Sequence, residues 1–332
     1  MRVLIIRCGA LGDLVYATSV IEALRMQFGD EISIDFVCTP GSATLFNGDT
    51  RVNHVYLLKH KKIPLFFSSQ KKAIVSQSKK EPYDILINFE FGKQFKSLVE
   101  NVIARKKVGA LVEDIFIPTQ VNRGEAQKEF FKSVVSEKNI KKSFPSVVSL
   151  DFSDIEKKFS LKMPYIVLAP SNSHVNRSRL NYRAWQNDKW KELIAKLDKE
   201  IQVVIVGAKG EEKFFQALQP YPSNVINLVA KNSIIELNTV LNYANAVVCT
   251  DSAVGHLSAA LNTPVFVLMG PNDTLVDAPY SSPSNSVNII SLQLECSPCY
   301  KTPLMKKCLD NICMNNISVE QIYLEIKSAN LL

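Results

Sequence analysis

The sequence predicts an α/β fold in which two parallel sheets, each covered by helices, occupy separate domains. Three observations carry this. Short β-rich apolar runs alternate with amphipathic stretches along the chain, the pattern that builds parallel sheets with helices on both faces. The alternation stops in a polar, Lys-rich passage from Lys138 to Pro164, marked by Pro145 and Pro164, and then begins again. Several strand-like runs end in loops of Gly, Asp, Ser or Arg, and ligands in such sheets bind at the carboxyl ends of strands. The domains are therefore set at 1–150 and 151–332, with a ligand-binding cleft expected between them.

The elements follow in order. Val3–Ile6 is a first strand, succeeded by Gly9, Gly12 and an amphipathic helix over Leu14–Phe28. Ile32–Val37, Val52–Leu58 and Tyr83–Asn88 are the next strands, the last flanked by helix-like stretches. In the second half Tyr165–Ala169 is a strand and Asp188–Lys199 a helix with Trp190 and Leu193 on its apolar face. Ile201–Val206, Val225–Leu228, Ala246–Cys249 and Val265–Met269 continue the strands. A final amphipathic helix over 318–330 is a candidate to pack back on the N-terminal domain.

Composition narrows the class. A chain of 332 residues can bury two cores, and 46% hydrophobic with 21% charged residues is the balance of a soluble globular protein. The net charge of +7 favours anionic partners: nucleotides, phosphorylated glycolipids or an anionic membrane surface. Much of it lies at Lys59, Lys61, Lys62, Lys71, Lys72, Lys79, Lys80, Arg105, Lys106 and Lys107, and reads either as solvated surface or as an acceptor-facing region. Arg7 and Asp13 interrupt the apolar start, which makes no clean signal-peptide core. The longest stretch without Asp, Glu, Lys or Arg, Ser252 to Asn272, holds His256, Pro264, Gly270 and Pro271 and reads as helix, turn and strand rather than a membrane span. Cys8, Cys38 and Cys249 fit reduced, buried thiols, and the expected location is the cytoplasm.

Four segments carry chemistry. Arg7-Cys8-Gly9-Ala10-Leu11-Gly12-Asp13 follows the first strand; its glycines permit a sharp turn near a ligand, but the G-x-x-G-D spacing lacks the third glycine of a dinucleotide fingerprint. Asp13 reads either as a general base at a strand-to-helix turn or as the cap of the following helix. Thr250-Asp251-Ser252-Ala253-Val254-Gly255-His256 opens a helix whose first N–H groups suit a diphosphate, with Asp251 and Ser252 as cap candidates. His256 is a site residue or a packed structural histidine. Pro170 to Trp185 holds Ser171 and three arginines, Arg177, Arg179 and Arg183, whose planar fork pairs with phosphate oxygens. In the Gly207–Glu212 loop, Glu211 or Glu212 is either a ribose acceptor or a helix-start acid. Cys296, Cys299, Cys308 and Cys313 form the fourth segment, a structural zinc set or free thiols.

Taken together, MRVLIIRCGALGD, YIVLAPSNS leading to RAW and DKWKELI, VVIVGAKGEE, and TDSAVGHLSAALNTPVFVLMGPND occur in the order and spacing of glycosyltransferase family 9, the ADP-heptose:lipopolysaccharide heptosyltransferases, which the chain resembles over almost its full length. The cysteine-bearing tail ending in Cys313-Met314 is also similar to a form common in that family. The resemblance implies a GT-B fold, two Rossmann-like domains facing across a cleft, with acceptor mainly on the N-terminal one and nucleotide-sugar on the C-terminal one. It implies inverting transfer of heptose to a lipopolysaccharide core acceptor of Kdo or heptose type, without catalytic metal or cofactor. Asp13 then becomes the base. Asp251, the N–H groups from Ser252 through Ala253 and Val254 to Gly255, His256 and a cation at Arg183 would hold the donor diphosphate, and Glu211 or Glu212 the ribose. Gly9, Ala10, Gly12 and Ser171 would line the diphosphate or acceptor, with peripheral contact at the inner membrane face. Two departures stand out: Arg183 where the family usually has lysine, and Ala253 where it commonly has glycine. Another nucleotide sugar on the same fold is the nearest alternative. A nucleic-acid binder would need a basic stripe with interleaved aromatics, which the sequence lacks.

Overall fold

The computed structural model describes residues 1–59, 68–176, 180–197 and 199–332. The chain divides into two compact units, Met1–Val148 and Ser149–Leu332. In the first, β1 (Arg2–Ile6), β2 (Ser33–Cys38), β3 (His54–Leu57), β4 (Tyr83–Asn88) and β5 (Ala104–Gly109) form a sheet in the order β3-β2-β1-β4-β5. Every pairing in it is parallel. Its helices are α1 (Leu11–Ala17), α2 (Ser19–Phe28), α3 (Ser69–Lys80), α4 (Lys96–Asn101), α5 (Arg123–Gln127) and α6 (Glu137–Lys142). Val3 to Ile6 are fully buried because β1 is central and covered on both faces, as its unbroken apolar run requires.

The second unit holds α7 (Ser153–Phe159), β6 (Tyr165–Ala169), α8 (Asn187–Leu197), β7 (Gln202–Ile205), α9 (Glu212–Gln216), β8 (Val225–Asn227), α10 (Ile234–Asn242), β9 (Ala246–Thr250), α11 (Ala253–Ala260), β10 (Val265–Leu268), β11 (Val287–Ile290), α12 (Pro303–Lys306), α13 (Ile312–Asn315) and α14 (Val319–Ser328). Its sheet is also parallel, in the order β11-β10-β9-β6-β7-β8. Counted from each unit's own first strand, both sheets run 3-2-1-4-5, the Rossmann order, and the second adds a sixth strand. The connections change direction beside the first strand, between β1 and β4 and between β6 and β9. Those two switch points are where such sheets bind ligands.

Four local differences from the sequence reading have physical causes. The helix expected over Leu14–Phe28 is two, α1 and α2. Thr18 Oγ1 and Ser19 Oγ turn back to the carbonyls of Val15 and Tyr16, at 2.7 and 3.1 Å, and interrupt it. Strand β5 reads Ala-Arg-Lys-Lys-Val-Gly and shows no apolar alternation because it is a sheet edge, where exposed Arg105 and Lys106 discourage further pairing. The Lys138–Pro164 passage is not irregular throughout, since it contains the end of α6 and all of α7. The last helix, considered for the N-terminal domain, buries its Val319, Ile322 and Ile326 face in the core of its own unit. That core joins them to Trp190, Leu193, Ile194 and Leu197 of α8 and to Trp185, whose ring meets Trp190 edge-on at 5.0 Å.

Candidate functional site

At the first switch point, Arg7 leaves the end of β1 between two carboxylates. Its Nη2 lies 3.3 Å from Asp13 Oδ1 and its Nη1 3.2 Å from Glu90 Oε1, just past β4. Glu90 also accepts the backbone N–H of Cys8 at 2.7 Å. Asn88, at the end of β4, accepts the N–H of Glu90 and donates to the carbonyls of Glu90 and Ala110, so this corner is braced by the strand ends themselves. Asp13 sits in the first turn of α1, and its Oδ2 accepts the N–H of Ala10 at 3.3 Å. One carboxylate oxygen therefore serves the helix start and the other faces the guanidinium; both sequence readings of Asp13 have a place in the geometry. The side chain remains about one-third exposed (35%), open to a reactant, whereas Arg7 and Glu90 are largely covered.

Gly9 is required here by close approach. A Cβ at Gly9 would stand 2.9 Å from Asp13 Cβ and 3.2 Å from Arg7 Cζ. Gly12, expected in the same turn, lies inside α1 instead.

At the second switch point, the loops after β6 and β9 are tied together. Thr250 Oγ1 donates to the carbonyl of Ser171, and Arg183 Nη1 contacts both Asp251 Oδ2 (3.1 Å) and the Asp251 carbonyl (3.3 Å). Arg183 Nη2 donates to Ser173 Oγ at 2.7 Å. Both members of the Arg183–Asp251 pair are nine-tenths buried. Around them, Asn172 Nδ2, Arg183 Nε, Ser252 Oγ and Asn272 Oδ1 are buried with no hydrogen-bond partner among the described residues. Folded proteins rarely leave such groups unpaired, and a cluster on three neighbouring strand-end loops suits a polyoxygenated ligand. Ser252 occupies the N-cap position of α11, but its hydroxyl does not cap the helix, so the expected cap is corrected to a free hydroxyl. Ala253 and Val254 follow in the first turn, half-buried, and His256 is buried one turn along. Gly255 points into the core: an added Cβ would meet Cys249 Sγ and Pro279 Cγ at 3.2 Å, so its bareness lets α11 settle on the sheet.

The loop after β7 contributes Glu211. Its Oε2 accepts Ser171 Oγ at 2.7 Å and the N–H of Ala208 at 2.8 Å, which joins it to the β6 loop. Glu212 is exposed in the first turn of α9. Of the two acids, the structure brings Glu211 to the cluster.

Other sequence candidates are placed differently. Among the described residues no group of three or more His, Cys, Asp or Glu side chains is disposed to hold a metal ion. Cys313 is turned toward Asn311 Oδ1 at 3.5 Å, Cys299 is buried and Cys296 exposed. Burial, reinforced by Cys299, Cys296 and Cys308, pushes the Cys313 thiol up to about 11. Arg105 and Lys106 lie exposed on the sheet edge, where Arg105 pairs with Asp84, and Lys106 and Lys107 donate to backbone carbonyls. Lys61, Lys62, Arg177 and Arg179 lie outside the described residues.

Sequence reading missed Glu90, Asn172, His174 and Tyr300. Glu90 had a signal, an acid directly after an apolar strand. Tyr300 had none, because the side chains its ring meets, His174 and Arg183, are more than a hundred residues away.

Two units of Rossmann strand order, each with polar side chains gathered at its switch point, define a GT-B fold of the kind used by nucleotide-sugar transferases. The profile described as glycosyltransferase family 9 (heptosyltransferase) matches residues 115–309, more than half of the chain, and the protein belongs to that family of enzymes. The chain is 23% identical to lipopolysaccharide heptosyltransferase 3 of Escherichia coli (strain K12) over 293 residues, 81% of this chain and 83% of that one. Two solved structures share the fold. A glycosyl transferase family 9 protein from Veillonella parvula DSM 2008 has a TM-score of 0.78 at 14% identity, covering 99% of this chain and 97% of that one. The E. coli ADP-heptose lps heptosyltransferase II has 0.76 at 18% identity, covering 100% and 98%. Among the described residues no helix is long and apolar enough to cross a membrane.

Proposed function

We propose that this enzyme transfers a heptose from ADP-heptose to a lipopolysaccharide core acceptor, with inversion at the anomeric carbon and Asp13 as general base. The acceptor hydroxyl attacks the anomeric carbon, Asp13 takes its proton, the bond from that carbon to the β-phosphate oxygen breaks, and ADP leaves. The observation that carries this reading is Asp13 itself: a partly exposed carboxylate at the first sheet's switch point, oriented by Arg7 on one oxygen and the Ala10 N–H on the other.

The donor belongs to the second unit. Charge developing on the departing diphosphate would meet the α11 N-terminus, Ser252, His256 and Arg183, fixed donors in a largely covered site. Glu211 would accept the ribose hydroxyls through the oxygen not committed to Ser171 and Ala208. The acceptor, an anionic glycolipid, belongs to the first unit, and the net charge of +7 favours work at the cytoplasmic face of the inner membrane. Family membership and the named relatives support the choice of ADP-heptose.

The test is calorimetric titration with ADP, UDP, GDP and ADP-heptose, paired with a transfer assay of Asp13→Asn. The expected result is selective binding of ADP and ADP-heptose, unchanged in the variant, with transfer lost by about 10²–10⁴-fold. Retained turnover in Asp13→Asn removes Asp13 from the base role. Preference for another nucleotide replaces the donor and points to Ala253, whose methyl stands where the family commonly has none.

A further inference from the structure

The cysteine-bearing tail between β11 and α14 has no role in the chemistry above, yet it is fixed to the donor end of the second sheet. The N–H groups of Cys299 and Tyr300 both donate to the Pro271 carbonyl at 2.9 Å, and Ser297 Oγ donates to the Gly270 carbonyl at 3.2 Å. Met314 and Cys313 fill the space beside Gly270, where an added Cβ would stand 2.7 Å from Met314 and 2.9 Å from Cys313 Sγ. On its other side the tail meets the β6 loop, where Tyr182 OH donates to the Cys308 carbonyl at 3.4 Å. The tail therefore links the loops after β10 and β6.

From this support Tyr300 reaches Arg183. The guanidinium carbon lies 5.4 Å from the centre of the Tyr300 ring, and the phenol oxygen is 3.0 Å from His174 Nε2. Asp251 and Ser173 hold the two terminal nitrogens of Arg183, while its Nε is buried with no partner among the described residues. A ring beside a guanidinium attracts its cation and, with Asp251 and Ser173 on the terminal nitrogens, restricts where the remaining N–H can point.

We propose that Tyr300 is a positioning residue that orients Arg183 toward the diphosphate of the nucleotide-sugar, and that the cysteine-bearing tail serves to deliver it. The proposal rests on the donor role of Arg183 given above. The tail's thiols are then scaffold, and its functional atom is the aromatic ring at Tyr300.

The test is a double-mutant cycle read by calorimetric titration of the full chain with ADP and with adenosine. Tyr300→Leu keeps apolar volume but removes the ring, and Tyr300→Phe keeps the ring but removes the bond to His174. Tyr300→Leu is expected to weaken ADP binding by roughly three- to tenfold and Tyr300→Phe by less than about twofold, with adenosine affinity unchanged in both. In an Arg183→Ala background, itself weakened by about tenfold or more for ADP, Tyr300→Leu is expected to have no further effect. Equal losses from Tyr300→Leu in both backgrounds, equal losses for ADP and adenosine, or no loss at all overturns the proposal while leaving Arg183 in place. If Arg183→Ala itself binds ADP normally, the donor role of Arg183 falls, and the positioning role of Tyr300 with it.

Discussion

Arg7 stands between Asp13 and Glu90, 3.3 Å from one carboxylate and 3.2 Å from the other. The cation joins an acid in the first turn of α1 to one just past β4, and Gly9 has no Cβ because that space belongs to Asp13 and Arg7. Removing Arg7 leaves two carboxylates without their shared partner and frees the Asp13 side chain to move from the position proposed for a base. Arg7→Ala is expected to lower kcat by about 10- to 100-fold, since a displacement of about an ångström costs that much, with donor KM changed little. Steady-state kinetics of ADP release measures both. A rise in donor KM at constant kcat would place Arg7 in donor binding instead.

The same corner sets a prediction about stability. Gly109 ends β5 with φ +96°, and an added Cβ would lie 2.3 Å from the Asn88 carbonyl oxygen. Backbone cannot move aside as a flexible side chain would, and Asn88 is held by its bonds to Glu90 and Ala110. Gly109→Ala is expected to cost about 2–4 kcal/mol in urea unfolding, from strain in the left-handed region and from the clash together. Gly29 also has positive φ but nothing within 4 Å of its would-be Cβ, so Gly29→Ala lacks the clash and should cost less, about 1–2 kcal/mol from backbone strain alone.

How far the sequence could show these relationships depends on chain separation. Arg7, Gly9 and Asp13 occupy one turn, so strand, loop and helix start could be read from adjacent letters, and so could Asp251 to His256. The alternation of runs disclosed both sheets except β5 and β11, edge strands whose exposed sides dilute the apolar signal. Glu90 joins Arg7 only because β4 lies beside β1, and Tyr300 joins Arg183 only because the tail docks on the loop after β10. Strand order and docking arise from packing over the whole unit, and no local pattern encodes them.

Burial gives the thiols a pH dependence. Desolvation pushes Cys38 up to about 12 and raises Cys8 further, with Glu90 and Cys38 adding to the Cys8 shift and Arg7 opposing it. Folded thiols therefore keep protons that the unfolded chain releases above about pH 8.5. The stability they contribute is present below that pH and is lost as pH rises toward the folded values, by up to about 1.4 kcal/mol per pH unit for each thiol. The urea midpoint should fall between about pH 9 and about pH 10.5, and less steeply in Cys38→Ala. An identical slope in that variant would assign the alkaline loss to other groups.

Glu211 and Glu212 can be separated by binding. Glu211 is anchored to Ser171 and to the Ala208 N–H through one oxygen, which leaves its other oxygen for a ligand at the β6–β7 loops; Glu212 is exposed in the first turn of α9. If the ribose is held there, Glu211→Ala loses both the ligand contact and the brace on Ser171, and ADP affinity should fall by about tenfold or more. Glu211→Gln keeps an acceptor but weakens a charge-assisted bond, and an intermediate loss of roughly threefold is expected. Glu212→Ala should change ADP affinity by less than about twofold, since an exposed acid at a helix start contributes little beyond the dipole. Calorimetric titration of the three variants orders them. Loss confined to Glu212→Ala would move the ribose contact out to the helix surface, and equal loss from both alanine variants would mean that the loop is displaced as a whole.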